Sequence, residues 1–387
     1  MAALLAALAV GALGLAAARG DADPDDRPDS LSGLVSPAPA EGSHRTPAAP
    51  KPSAVSRPAS SPSPSPTRAL PRHAPPPIPG YLLIADRGND RMLLVNGKKR
   101  VLWSYPKPGE APTMPFNFDD DTFFGARYDR IISNQEAQQT IEIISFPGRK
   151  VLWHYGHVNV AGSRRGYLHT PDDAYLLQNG VVVVADVGNC RVLFVSRKER
   201  PLRQIGTTGA CGHDPPKLLG APNGDTPGPG GKILVTEITG SWIDAVGPGN
   251  KVLWSVRAPV RYPSDAQWLG HGRILLADYS SPGHVLVMTR KGRVLWEYGP
   301  PSGPAALNHP SLALRLPNGL IAVNDDYRHR VVLIDPRRHR IVWQYGHTDQ
   351  AGRAHGYLNI PDGMDFLPLA VAMNEPQIRH LVLRSRH

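Results

Sequence analysis

KVLWHYGHVNVAGSRRGYLHTPDDAYLLQNGVVVVADVGNCRVLFVSRKERPLRQIG, residues 150–206, holds one complete copy of a unit whose parts recur from Leu82 to Trp343. It parses into a strand over 173–177, an Asn179-Gly180 turn, an apolar strand over 181–185 and a polar loop over 186–189. A strand over 191–196, a charged turn and an outer strand over 201–205 complete it. Asn-Gly between apolar runs is a strong hairpin signal, so local chemistry alone predicts four short antiparallel strands.

The outer strand repeats best. It reads Val101-Leu102-Trp103, Val151-Leu152-Trp153, Val252-Leu253-Trp254, Val294-Leu295-Trp296 and Ile341-Val342-Trp343, with Leu202-Arg203-Gln204 as a degenerate copy. A period of about 40 to 50 residues marks propellers and solenoids, and these copies give six outer strands. The second strand with its acidic end recurs at Leu83-Ile84-Ala85-Asp86, Val183-Val184-Ala185-Asp186, Leu234-Val235-Thr236-Glu237, Leu275-Leu276-Ala277-Asp278 and Ile321-Ala322-Val323-Asn324, with a weaker version at 130–134.

The ends of the array settle how it closes. The first unit starts at Tyr81 without an inner strand. After Trp343 the chain repeats Tyr155-Gly156-His157, Gly166-Tyr167-Leu168 and Pro171-Asp172 as Tyr345-Gly346-His347, Gly356-Tyr357-Leu358 and Pro361-Asp362, at identical spacing. An inner strand over 362–366 would complete the first blade and remove the exposed edges of an open array. The expected fold is all-β: a six-bladed β-propeller of four-stranded antiparallel blades over 79–366, closed by a C-terminal inner strand, with 367–387 as a tail outside the ring.

The region before the array is of another kind. Of 41 prolines, 16 lie within residues 21–79, which carry no Phe, Trp or Tyr before the final stretch at the array. Such a chain cannot bury enough surface to offset its entropy, so 21–78 reads as a disordered or polyproline-like linker. Residues 1–18 form an unbroken apolar and glycine run ending in Ala16-Ala17-Ala18. Segment 1–20 therefore reads as a signal peptide or an N-terminal membrane anchor, with a membrane tether through 1–18, and the protein as extracytoplasmic. The net charge of +10 permits attraction to anionic partners, but basic runs with interleaved aromatics are lacking, which argues against nucleic acid.

The two cysteines fall on one face of the expected propeller. Cys190 lies in a loop between second and third strands, Cys211 in the link to the next inner strand, so they predict a disulfide. A metal site using them with His213 lacks a CxxC or a second histidine at ligand spacing, and no metal or cofactor is expected.

Asp86-Arg87-Gly88-Asn89-Asp90-Arg91 and Asp186-Val187-Gly188-Asn189-Cys190-Arg191 resemble the loop of NHL-repeat propellers. The wider pattern, Leu-x-x-Pro-Asp before inner strands and Val-Leu-Trp-x-Tyr-Gly in outer ones, is similar to the NHL and PQQ-like superfamily over roughly 79–366. The Asp and Arg of that loop read as structural, because they repeat: the acid ending one strand accepts from loop amides and from the Arg opening the next. The tryptophans are expected between adjacent blades.

The entrances to the inner strands converge on the axis, at the face where propellers usually place their sites. They offer Asp120, His169, Asp172, Asp173, Asn223, Asp265, His309 and Asp362 as candidate ligand-binding residues. His169 and His309 are less repetitive than the acids and fall in opposite blades; two such imidazoles could hold an anion, ligate a metal or move a proton. Leu307-Asn308-His309 followed by Leu316-Pro317-Asn318-Gly319 resembles the strand entrance of bacterial arylsulfotransferases, exported six-bladed propellers with an axial histidine nucleophile. That resemblance makes His309 the matching histidine, although His309-Pro310-Ser311 stands where the family has paired His-Asp. The sequence thus predicts a module binding a small molecule, glycan or protein at the axial face. The competing expectations are an arylsulfotransferase-like or lyase-type enzyme with His309 and His169 as catalytic candidates, and an interaction module without an axial site.

Overall fold

The computed structural model describes residues 77–116 and 119–384, apart from the side chains of Asp119, Asp120 and Arg384. The expected export segment and almost all of the expected linker lie outside the described residues. The rest forms six antiparallel sheets. Blade one is Pro361–Pro368, Gly80–Asp86, Arg91–Asn96 and Val101–Tyr105, from axis to rim. Blade two is Asp119–Phe124, Arg130–Gln135, Thr140–Ser145 and Val151–Gly156, and blade three is Pro171–Leu176, Val182–Asp186, Arg191–Val195 and Pro201–Ile205. Blade four places Pro222–Gly224 and Pro227–Gly228 beside Lys232–Glu237, Trp242–Val246 and Val252–Arg257. Blade five is Pro263–Gly270, Arg273–Asp278, His284–Thr289 and Val294–Tyr298, and blade six is Ala313–Arg315, Ile321–Asp325, Arg330–Asp335 and Arg340–Gly346.

The middle strands are mostly apolar because both faces are covered. Leu82 and Ile84 belong to one buried cluster with Ala322, Leu333 and Trp343 of blade six, while Tyr81 and Leu83 belong to another with Phe124, Ile131 and Ile144 of blade two. Side chains of a strand alternate between its faces, so each blade is glued to both neighbours. The outer tryptophans tie the same joints: the Nε1 of Trp103, Trp296 and Trp343 donates to Pro147, Pro336 and Gly97 of the following blade, each at 3.0 Å. In the degenerate copy Arg203 takes over, donating to Asn250 of blade four at 2.7 Å.

Closure follows the expected exchange, with Tyr81 opposite Leu367 and Leu83 opposite Asp365. The tail differs from expectation. The closing strand runs on to Pro368, and helices Leu369–Asn374 and Pro376–Arg384 bury Ala372, Ile378 and Val382 in the cluster that holds Tyr81, Trp103 and Tyr105. Residues 367–384 are thus part of blade one's packing, because that blade's face would otherwise expose large apolar side chains. Cys190 and Cys211 form the disulfide, with Cα atoms 5.3 Å apart. Among the described residues no helix is long and apolar enough to cross a membrane.

Candidate functional site

The axial face is built from two repeated pieces, the turn after each second strand and the entrance to each inner strand. The acid ending the second strand joins them. Asp86, Asp186 and Asp325 each accept the Nε of Arg91, Arg191 and Arg330 on one oxygen, at 2.6, 2.7 and 2.7 Å. Their other oxygens accept the amides of Asn359, His169 and Asn308, each at 2.7 Å. Burial outweighs the arginine and holds all three carboxyls above the usual range, Asp325 at about 6. These acids and arginines are architecture, as their repetition suggests.

The same bonds correct the pairing of the two histidines. His169 donates its amide to Asp186 as Asn308 does to Asp325, so the counterpart of His169 is Asn308. His309 occupies the following place, that of Thr170, Ala221 and Ile360, all with φ between 49° and 55° before a proline. His169 is exposed and lies over Gly188, where a Cβ would meet its ring at 2.5 Å. His309 is half-buried, its ring packed edge-on against Tyr279 and Tyr327 at 4.9 and 4.7 Å, and its Nδ1 is bonded to Asn308 Oδ1 at 2.7 Å. Burial lowers its pKa, so it is neutral at pH 7. Asp325 and Arg328, the neighbours best placed to orient its ring, are engaged elsewhere: Asp325 as above, and Arg328 with Asp349, Gly303 and Ala306. His157 and His347 stack on Tyr167 and Tyr357 at 4.0 Å, as parts of the duplicated loop.

Around the mouth stand the residues that follow the ends of the second strands: Arg87, Glu136, Val187, Ile238, Tyr279 and Asp326. Arg87 donates to Asp362 at 2.7 Å and to Glu136, bridging two blades. Asp326 accepts from Ser311 at 2.8 Å, and burial, then the Asp362 charge, pushes its carboxyl well above the usual range. Tyr279 and Tyr327 share a hydrogen bond, and burial raises both hydroxyls.

Deeper lie the carboxyls of the inner strands. Asp121 and Asp173 share a hydrogen bond, which requires a proton on one of them, and burial first and then neighbouring acids lift both well above normal. Asp225 is fully buried, neither of its oxygens has a hydrogen-bond partner among the described residues, and after burial Asp172 and Asp265 raise it. Asp265 accepts from Thr226 and Gln267 and is held at about 6 by burial. Asn223 bridges to Ser264 and accepts from the Tyr262 hydroxyl at 3.2 Å.

Of the residues singled out from sequence, Asp172, Asp173, Asp265 and Asp362 therefore gather at the axis, with Asn223 beside them. His309 sits at the rim of the mouth and His169 stands apart from its aromatic cluster. The Asp120 side chain lies outside the described residues. Asp121, Asp225, Arg87, Glu136, Asp326, Tyr279 and Tyr327 join the site without having been chosen. Part of their signal was available, since Arg87, Glu136, Tyr279 and Asp326 each sit one place after the end of a second strand and Asp121 aligns with Asp173. Two surface recesses, of about 390 and 580 Å³, lie elsewhere, one lined by Leu177, Phe194 and Pro248 and the other by Arg91, Phe116 and Arg353.

No protein-family model matches the chain, and neither does any curated protein. Solved structures do. A protein of unknown function from Bacteroides caccae is 18% identical with a TM-score of 0.52, over 74% of this chain and 98% of that one. The nidogen/laminin complex matches at 13% identity and a TM-score of 0.50, over 73% and 97%. Virginiamycin B lyase from Staphylococcus aureus, solved with quinupristin, matches at 14% and 0.42, over 57% and 67%. At such identities the likeness is one of fold, and the fold is the six-bladed propeller; membership of the NHL or PQQ-like families is not shown.

Proposed function

We propose that this propeller is an exported binding module whose axial mouth takes a small polar ligand or glycan that presents hydroxyl or ammonium donors. The observation that carries this reading is Asp225, fully buried with two acceptor oxygens unpartnered among the described residues, beneath a mouth that already holds Arg87, Asp362 and Tyr279. Buried acceptors without donors are costly, and a ligand that supplies donors recovers that cost on binding. The exposed aromatic ring of Tyr327 suits the apolar face of a sugar ring. Export is supported by the Cys190–Cys211 disulfide, a bond that persists in oxidising compartments.

A histidine nucleophile is the less supported reading, because the His309 imidazole is oriented by an amide oxygen rather than by a carboxylate base. Two experiments test the proposal. Glycan arrays and thermal-shift screens of polyols and amines should give ligands whose affinity falls at least about tenfold, a loss near 1.4 kcal/mol, in Asp225→Ala and Asp362→Ala. Ligands that bind these variants as well as the wild type would place recognition elsewhere. Transfer of sulfate from an aryl sulfate to a phenol, lost in His309→Ala, would replace the binding reading by an enzymatic one.

A further inference from the structure

Blade four breaks the pattern that blades one, three, five and six share, whereas blade two has Gln135 in place of the acid. In blades one, three and six the buried acid at the end of the second strand is neutralised by an arginine from the next strand, and in blade five His284 approaches Asp278 at 3.4 Å. In blade four the acid is Glu237, fully buried, and the arginine's place is taken by Trp242. Two residues on, where blades one, three and six have Leu93, Leu193 and Val332, blade four has Asp244, also fully buried. The blade has thus lost a cation and gained a second carboxylate.

Among the described residues, the ligating side chain that joins this pair from outside the sheet is an imidazole. His213 lies in the loop that follows blade three, two residues past Cys211, so the disulfide pins its backbone. Its ring stacks on Trp242 with centroids 3.9 Å apart and planes 5° from parallel. Nδ1 faces Glu237 Oε1 at 3.2 Å, and Nε2 is bonded to Ser255 Oγ at 3.3 Å. Glu237 Oε2 is occupied by the Gly220 amide, which leaves Oε1 turned toward the imidazole. Apart from a hydrogen bond shared with Glu237, neither oxygen of Asp244 has a donor among the described residues, and one ligand atom from each of His213, Glu237 and Asp244 lies within 4.8 Å of the others.

We infer that His213, Glu237 and Asp244 form a binding site for a divalent transition-metal ion of the zinc class. One imidazole nitrogen and two carboxylate oxygens are the donors such an ion takes, at roughly 2.0–2.2 Å, and two carboxylates balance its charge. Ligand atoms spread over no more than 4.8 Å close onto an ion of that reach with a small inward movement of side chains. The Ser255 hydroxyl fixes the orientation of the imidazole from its far side, as outer partners of metal-bound histidines do. The His213 side chain is 23% exposed, which gives the ion a route from solvent. The ion would replace, at the joint of blades three and four, the guanidinium that blades one, three and six carry.

The test uses full-length, untagged, chelator-stripped protein titrated with Zn²⁺ by calorimetry, and with Co²⁺ followed by its visible absorption. One equivalent should bind and raise the melting temperature. Affinity should fall by more than roughly a hundredfold in Glu237→Gln, His213→Ala and Asp244→Leu, because the loss of even an outer partner of a metal ligand costs roughly 10–100-fold. Asp244→Leu installs the side chain that blades one and three carry at this place, so it should fold and melt no lower than the metal-free wild type. Absence of stoichiometric uptake would mean that the two carboxyls share a proton and would overturn the inference. Uptake unchanged in Asp244→Leu would overturn it too, by placing the ion on surface histidines. Neither result bears on the axial site.

Discussion

Replacing Arg330 by methionine should be among the most damaging single changes outside the apolar core. Its side chain is 2% exposed and donates to Asp325, Pro304, Thr348 and Ala306 at 2.7–3.0 Å. Asp325, itself fully buried and already held at about 6, would keep the Asn308 amide as its remaining donor, so its charge is either stranded or taken up by a proton. Removing one partner of a buried pair costs about 3–5 kcal/mol, most of it the penalty of the stranded charge. Asp325→Asn together with Arg330→Met removes that charge yet retains an acceptor for the Asn308 amide, so the double variant should be more stable than Arg330→Met alone. The equivalent change at Arg191, 7% exposed, should cost less, and at Arg91, 17% exposed, least, because water can reach the abandoned carboxylate. Urea denaturation of these four variants and of Asp325→Asn alone measures this. An Arg330→Met protein within about 1 kcal/mol of wild type, or a double variant that loses the full sum of its singles, would refute the account.

The acidic interior predicts an unusual pH profile. Burial holds Asp265 and Asp365 at about 6 and Glu142 at about 7, so each binds its proton more tightly folded than unfolded. The stability they contribute is present below about pH 4 and lost as pH rises through 6 to 7, so the melting temperature should fall between pH 5 and 8, and Glu142→Leu should flatten that fall. Truncation after Pro368 should cost on the order of 3–6 kcal/mol through the lost burial of Ile378 and Val382, whereas truncation before Leu358 should abolish cooperative unfolding; melts that match full length would refute either. Exported protein should show no free thiol until reduced, and Cys211→Ser should lower stability by about 3 kcal/mol, as expected for a closed loop of this size.

The fold was legible because it is written six times. Val-Leu-Trp strands, acid-ended second strands and the copied Gly-Tyr-Leu-x-x-Pro-Asp run each carry local chemistry that repetition amplifies, and the closing strand followed from counting. The site was legible only in part. His169 and His309 read as an opposed pair in sequence, yet His169 stands two residues before Pro171 and His309 directly before Pro310, so the offset between them was legible in the proline register. The mouth residues Arg87, Tyr279 and Asp326 were hidden inside a motif whose neighbours are structural. His213 and Glu237 are 24 residues apart, so the contact belongs to blade packing and to no motif. The terminal helices escaped because their apolar residues, 369–373 and then Ile378, Leu381 and Val382, belong to no repeat and have a visible partner only once blade one's face is seen uncovered.

The closing strand has a consequence for how the chain finds its fold. Arg87 and Asp362, bonded across blade one, are 275 residues apart in sequence, whereas the other five blades are built from neighbouring hairpins. Joining ends at that distance costs about 5 kcal/mol of loop-closure entropy, against about 1.4 kcal/mol for a five-residue turn, by the logarithmic scaling of loop length. Blades two to six can therefore assemble as synthesis proceeds, while the three strands made first wait for the last one. Until residue 368 has emerged, Gly80–Asp86 presents an open, apolar edge able to pair with another copy of Pro361–Pro368. Domain-swapped dimers, exchanging that one strand, are the misassembly this topology favours when synthesis is crowded or release is slow.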